Sequence, residues 1–443
     1  MSESEKQDSD ASDVSDVSDA SDASDANHAS DVSDISDVSD VMIDSSEQSE
    51  TGQSKKSPKK SRNKKTGKLK VGIVLNYKKA ELKKEELLNV NSKKMPWLAL
   101  AKEEKYKSHV IVIKKSGKAR SFVAADVAIG IYLESHHPSK VEVDYITPPE
   151  ISTRRFKKND IVFVIIYDLL EAFHLSDKKI FYSFKNALKN SPNVYPPYAY
   201  QKFVNNKCNY YAHLAQKGVP VAPTYCITRE KWYSKSPTKF VTNLLARVKS
   251  KHWDSIIAKP VYGQEAIGFA KFMECQDHRG KLEKYLAKNV PKYKSIVIQQ
   301  YIPGFDKNKP EIRTYFVDGK YVYSVVTTES IVGQVKQEGG KYALPQKEWE
   351  HVLKLAKKTM AALPKLELKG QHKHPILTRI DIGSGLEDTK QSPYGYFVNE
   401  VEFVPSLYIE DQDYPVVQKI AKSLYSVAKE YRQRDSAKVN VLF

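Results

Sequence analysis

Cysteine is nearly absent from this 443-residue chain, and so is any long apolar stretch. The three cysteines, Cys208, Cys226 and Cys275, lie far apart with no Cys-x-x-Cys pair. The sequence therefore predicts neither a zinc site nor a disulfide framework, and it reads as a protein of a reducing compartment. The longest apolar run, Ile161 to Tyr167, is far short of the roughly 18 residues that a membrane span needs. The first residues, Met-Ser-Glu-Ser-Glu, supply neither the basic start nor the apolar core of a secretory signal. These absences exclude the membrane-spanning and disulfide-stapled classes. They predict a soluble chain of the cytoplasm.

Charge is plentiful but unevenly placed. Residues 1–50 hold 16 acidic residues against one lysine, whereas residues 51–70 hold nine Lys/Arg and no acid. The remainder has 61 basic against 38 acidic residues, a net +23. Such an excess favours an anionic partner: a nucleotide, a phosphorylated small molecule or a nucleic acid. Residues 8–40 repeat Ser-Asp-x with almost no large apolar side chain, so they cannot bury enough surface to offset ordering entropy. We read residues 1–68 as a disordered acidic tail plus basic linker. Repeated Ser beside Asp also suits phosphorylation, which would deepen the negative charge. The basic run Lys55 to Lys70 has three readings: a nuclear address, a nucleic-acid patch, or a counterpart to the acidic tail.

Order begins near Leu69. Short β-branched runs at 71–75, 109–113, 141–145 and 161–166 alternate with helical periodicity at 121–135 and 177–190, the pattern of an α/β domain with a mainly parallel sheet. The cluster at 192–198 closes it, giving a small α/β domain over 69–198. Residues 199–432 then read as a second α/β (α+β) domain. Its predicted helices are 202–218, 238–250, 347–363 and 414–432. Strands are predicted at 295–302, 311–327 (a hairpin through Asp318-Gly319) and 396–404, with 433–443 as a frayed tail.

Four elements carry chemistry. Lys259-Pro260 ends a strand and is followed by Gly263, Gly268 and Lys271, a flap able to lay a lysine and backbone N–H groups over phosphates. Gln299, Gln300, Tyr301 and Ile302 end an apolar strand whose backbone can read an adenine edge. Glu311 and Arg313 share one strand face. Arg379-Ile380-Asp381 precedes Glu400-Val401-Glu402 by about twenty residues. The three carboxylates suit one or two Mg²⁺ ions, which favour oxygen ligands. Phe397, Val401 and Phe403 are expected on the opposite face. His136, His137, His372 and His374 read as exposed loop histidines, and the 27 tyrosines as packing rather than base stacking.

Taken in this order, the elements resemble the ATP-grasp superfamily from about Lys202 to Tyr431. Asn206-Lys207 is similar to that family's early helix with its phosphate-reaching lysine, and the 218–223 segment to its entry into the next strand. Lys259 through Lys271 is similar to the flap of D-alanine–D-alanine ligases. Gln299 to Ile302 resembles the adenine hinge, and Glu311 a ribose-side acid. Arg313 resembles the arginine of the glutamate-ligase-like and glutathione-synthetase-like branch, and Gly339-Gly340 a glycine pair before a helix. Arg379 and Asp381 resemble an Arg-x-Asp element, and Glu400-x-Glu402-x-x-Pro405 a Glu-x-Asn-x-x-Pro element. Glu402 stands where the family has Asn, keeping an oxygen ligand and adding a charge.

The resemblance implies an ATP-grasp fold preceded by a small α/β domain, with ATP and Mg²⁺ as cofactors. In that reading Lys207 and Lys259 hold the phosphates, and Asp381, Glu400 and Glu402 hold Mg²⁺. Arg379 and Arg313 stabilise charge in an acyl-phosphate ligase that joins a carboxylate substrate to an amine or thiol. Two alternatives stand beside it. One is a kinase of the inositol-phosphate type, which shares the architecture and suits a basic body. The other is a non-catalytic protein that binds nucleotides or associates with nucleic acid.

Overall fold

The computed structural model describes residues 67–75, 87–115, 118–165, 177–262, 267–303, 311–327, 332–334, 344–368, 370–386, 393–408, 416–432 and 440–443. All belong to one unit, Lys65–Phe443. Gly263 and the Gly339-Gly340 pair lie outside the described residues, as does the 1–66 segment. Among the described residues no helix is long and apolar enough to cross a membrane.

The fold is mixed α/β. Strand Leu69–Val74 lies between Val141–Ile146 and Ile161–Phe163, with Val194–Tyr195 beyond the latter, all parallel. Val71, Ile73 and Val74 are all buried, as expected of a parallel sheet covered on both faces. Strand Ile111–Lys115 is not part of it. It pairs antiparallel with Lys118–Ala124, which also pairs with Leu87–Asn89. Only two residues separate 115 from 118, too few for the crossover that parallel strands require. The predicted helix at 121–135 is accordingly shorter, Ala125–His136, because Ser121 to Ala124 belong to the preceding strand.

Two further sheets frame the site. One runs in the order Ala270–Phe272, Ile256–Pro260, Ser295–Gln300, Thr224–Thr228, with antiparallel neighbours. The other runs Val332–Gln334, Lys320–Thr327, Glu311–Val317, Leu377–Gly383, Phe397–Glu402. The Asp318-Gly319 turn joins its central hairpin as expected, with both residues at positive φ.

The two sheets meet in one core, which Val297 also enters, and the four-stranded sheet has a second core of its own. The five-stranded sheet shares one apolar core with the parallel sheet and with helices Gln346–Ala362 and Val416–Arg432. Helix Val416–Arg432 touches Leu69–Val74, Ile161–Phe163 and Glu311–Val317, so a single element covers strands of both sheets. The four-stranded sheet packs its other face, through Ile227, Ile256, Ala258, Ile296 and Ile298, on helices Pro237–Lys249 and Arg279–Tyr293 in a second core.

Several expectations are corrected. The helix predicted over 202–218 is two, Tyr198–Asn205 and Lys207–Gln216, because the Asn206 side chain breaks the first and caps the second by accepting from the Asn209 N–H. Residues 440–442 are not a frayed tail: Asn440–Leu442 pairs with Lys365–Leu368. Cys208 and Cys226 form a disulfide, with Cα atoms 6.0 Å apart, against the reading that none exists. Their 18-residue separation in sequence is closed by the turn after helix Lys207–Gln216. His136 and His137 are not idle loop residues, since they stack on Tyr132 and Tyr425 with ring centroids 3.8 Å apart in each case.

Candidate active site

The antiparallel register of the five-stranded sheet builds the acidic side. Arg313 lies opposite Asp381, and Asp381 opposite Glu400; one row over, Tyr315, Arg379 and Glu402 align. Residues directly opposite in a ladder share a face, so two arginines and three carboxylates converge. Arg379 Nε and Nη2 donate to the two oxygens of Asp381 at 2.7 Å each, and Nη2 also donates to Glu402 Oε1 at 2.7 Å. This paired geometry matches the fork of a guanidinium to a carboxylate. Arg313 Nε donates to Glu311 Oε2 at 2.9 Å and stands 4.0 Å from Asp381 Oδ2, while its Nη1 donates to the Tyr408 hydroxyl.

A β-bulge changes which residues face the site. Asp381 pairs with Glu400 but Ile382 with Val398, leaving Asn399 as the extra residue. A bulge re-aims side chains, and here the Asn399 amide donates to Glu311 Oε1 at 2.7 Å. Simple alternation would place Asn399 away from Glu400. The bulge also separates Phe397 from Val401 and Phe403, correcting the expectation of one common face. Val401 and Phe403 enter the large core, whereas Phe397 packs with Ala222 and Ile302 in a small apolar cluster beside Leu386.

The basic side comes from two elements. Lys207 opens its helix, and its N–H donates to the Val261 carbonyl at 3.2 Å, next to the end of the Lys259 strand. Its ammonium pairs with Glu400 Oε1 and is buried. Lys259 Nζ donates to the Tyr211 hydroxyl at 3.1 Å, and that hydroxyl in turn donates to the Asn399 carbonyl. Tyr211, one helical turn after Lys207, is thus a site residue that sequence reasoning missed. A buried tyrosine on an amphipathic helix carries no signal separating it from core. Lys207, Glu400 and Glu402 line a small open cleft with Asn205, Tyr262 and Val404.

The hinge and flap are placed less uniformly. Gln299 is buried and its amide donates to Thr224 Oγ1 at 3.0 Å, so its side chain serves the sheet. The N–H groups of Gln300 and Tyr301 bond to the carbonyls of Pro223 and Ser255. Ile302 lies in the apolar cluster with Phe397. The flap strands pair as Ala258 with Ala270 and Ile257 with Lys271. Lys271 lies over the Tyr301 ring, 5.9 Å from its centroid. Gly268 has φ +70° and packs so closely that a Cβ would meet Pro260 Cγ at 2.8 Å. That glycine is demanded by packing on the proline after Lys259.

Electrostatics follow from this crowding. Burial pushes the Asp381 carboxyl up to about 7, against the pull of Arg379 and with Glu311 adding to the rise. Burial and Glu400 raise Glu402, against Arg379. Burial also opposes ionisation of Glu400, yet Lys207 and Lys259 outweigh it and hold that carboxyl down to about 2. Burial works against the Lys207 ammonium as well, but Glu400 reverses the balance and raises it. The ligand oxygens of Asp381, Glu400 and Glu402 lie within 4.8 Å of one another. Like charges about 4 Å apart repel by about 4 kcal/mol at the effective dielectric near a protein surface. Three hard oxygen donors in that arrangement fit a divalent cation such as Mg²⁺.

No family model matches the chain, and no curated protein matches it. Solved structures do. D-cycloserine synthetase DcsG shares 16% identity, over 67% of this chain and 94% of that one, at a TM-score of 0.47. D-alanyl-alanine synthetase A from Vibrio cholerae shares 13%, over 82% and 99%, at 0.49. The ATP-grasp ligase PsnB, complexed with minimal precursor, Mg and ADP, shares 13%, over 69% and 95%, at 0.41.

Proposed function

We propose that this chain is an ATP- and Mg²⁺-dependent ligase joining a carboxylate to an amine or thiol through an acyl phosphate. The observation that carries the reading is Arg379, clamped between Asp381 and Glu402 beside the Lys207–Glu400 pair. In this reading cations that would meet phosphate oxygens stand beside carboxylates that would hold a metal ion.

In this reading Lys207 and Lys259 receive the β- and γ-phosphates, and Tyr211 aims Lys259. Glu311, held by Asn399 and Arg313, faces the ribose. Asp381, Glu400 and Glu402 would hold Mg²⁺, which neutralises the transferring phosphoryl group when bound. A substrate carboxylate oxygen attacks the γ-phosphorus as the bond to ADP breaks. The amine nitrogen then attacks the acyl carbon, loses a proton, and phosphate leaves. Arg379 and Arg313 stabilise the oxyanion that develops. We place the protein in the cytoplasm, with a nuclear address as the alternative reading of the basic run.

Incubation with a pool of carboxylic acids, Mg-ATP and hydroxylamine should yield a hydroxamate together with phosphate. The +23 of the body favours a second reading, a kinase acting on a polyanion such as an inositol phosphate. Transfer of labelled γ-phosphate to an inositol phosphate, with no hydroxamate from any acid, would replace the ligase by that kinase.

A further inference from the structure

The disulfide joins the helix that carries Lys207 to the edge strand of the sheet that carries Lys259. Cys208 is the residue after Lys207, in the first turn of the Lys207–Gln216 helix, which also bears Tyr211. Cys226 lies opposite Val297, and Val297 opposite Lys259. Cys226 and Lys259 therefore stand in one cross-strand row on one sheet face. The Thr224–Thr228 strand is at the edge of its sheet, bonded along its length only to Ser295–Gln300. Its opposite face belongs to the second core through Ile227, whereas Tyr210, Tyr211 and Leu214 of the helix belong to the first. The bridge thus adds a covalent tie to the Lys207 N–H to Val261 carbonyl bond and the Lys259–Tyr211 bond that already join the helix to this sheet.

We propose that Cys208–Cys226 is a reversible redox site that governs nucleotide affinity: closed, it fixes Lys207 relative to Lys259, and open, it lets the two lysines separate. The proposal rests on the nucleotide reading of this site and adds its regulation. Cys208 and Cys226 are half-buried, while Cys275 is fully buried and its thiol is pushed up by burial. Opening is thiol–disulfide exchange. A dithiol reductant attacks one sulfur, the Cys208–Cys226 bond breaks through a mixed disulfide, and the second reductant thiol displaces the protein sulfur. The reductant leaves as its disulfide, and the two cysteines gain two electrons and two protons. Closing runs the same exchange backwards against a small-molecule disulfide.

The test uses the full chain, reduced with a dithiol or reoxidised with a small-molecule disulfide, with Cys208→Ser as a permanently open form and Cys275→Ser as control. Three quantities are read: thiols open to alkylation, Mg-ATP affinity by calorimetry, and the rate at which an amine-reactive label modifies Lys207. Reduction should expose two thiols, weaken Mg-ATP about tenfold, as for one charge-assisted contact, and speed Lys207 labelling. Reoxidation should restore all three, Cys208→Ser should match the reduced protein, and Cys275→Ser should change nothing. Equal Mg-ATP affinity and equal labelling in both redox forms would overturn the switch, as would two cysteines that no disulfide oxidant pairs. Labelling that follows redox state while neither form binds Mg-ATP would sink the nucleotide reading and leave the clamp standing.

Discussion

The Asp381–Arg379 pair and Lys259 are held in this site to different degrees. Asp381 and Arg379 are 1% and 4% exposed, in the central part of a five-stranded sheet, and each is tied to more than one partner. Lys259 is half-buried on a sheet that packs its far side on a separate core, and its ammonium rests on one tyrosine hydroxyl. The contrast teaches that charge placement is expensive where the field is strongest and looser where a ligand must enter. Asp381 and Arg379 are held before anything binds, and Lys259 less so.

Removing the most constrained group should break this comparison hardest. Arg379→Ala leaves Asp381 and Glu402 buried without their partner, and losing one member of a buried pair costs about 3–5 kcal/mol. Denaturant unfolding should show that loss, and added Mg²⁺ should recover part of it. An unchanged midpoint would mean the carboxylates are not held by this arginine. Lys259→Ala should behave oppositely. It removes one charge-assisted contact worth about 1.5–3 kcal/mol, so Mg-ATP affinity should fall roughly ten- to hundredfold while the melting temperature barely moves.

Acid should sharpen the same contrast. Glu400 is held down to about 2 from its ordinary 4.5, with Lys207 and Lys259 outweighing the opposing burial. A depressed carboxyl contributes stability that is complete above the unfolded value and disappears as pH falls through the folded one. The loss therefore belongs between about pH 4.5 and pH 2. Lys207→Met should flatten the acid limb of the melting curve in that window. The smallest effect is expected outside the folded unit: deleting residues 1–68 should leave the thermal transition and Mg-ATP affinity nearly unchanged, because their composition offers no core. Loss of cooperative melting in the truncated chain would contradict that.

Much of the site was legible because its residues sit in short motifs on strongly apolar strands. Arg379-Ile380-Asp381 and Glu400-Val401-Glu402 announce themselves through alternation. What alternation cannot show is a bulge, and Asn399 was missed for that reason. Tyr211 was hidden among buried aromatics. Cys208 and Cys226 gave no signal because pairing is a tertiary fact, set by where a helix start and an edge strand meet. Helix Arg279–Tyr293 was overlooked although Leu282, Leu286 and Val290 are spaced for it; Pro291 in its last turn and many lysines mask the apolar stripe. Strand Asn440–Leu442 is too short to have a pattern of its own, and exists because Lys365–Leu368 presents it an edge.

Helix Val416–Arg432 follows in the chain every strand that it covers, from Leu69–Val74 to Glu311–Val317. On the ribosome the parallel sheet is therefore made long before its cover. Its apolar face, with Val71 and Ile73 at the centre, must wait through the synthesis of more than two hundred further residues once Val194–Tyr195 completes the sheet. Exposed surface of that kind is what chaperones recognise and what aggregates when they are scarce. A stop codon or frameshift before residue 416 would thus do more than shorten the protein: it would strip one roof from two sheets at once. The released fragment should partition into the insoluble fraction of the cell, although every site residue had already been translated.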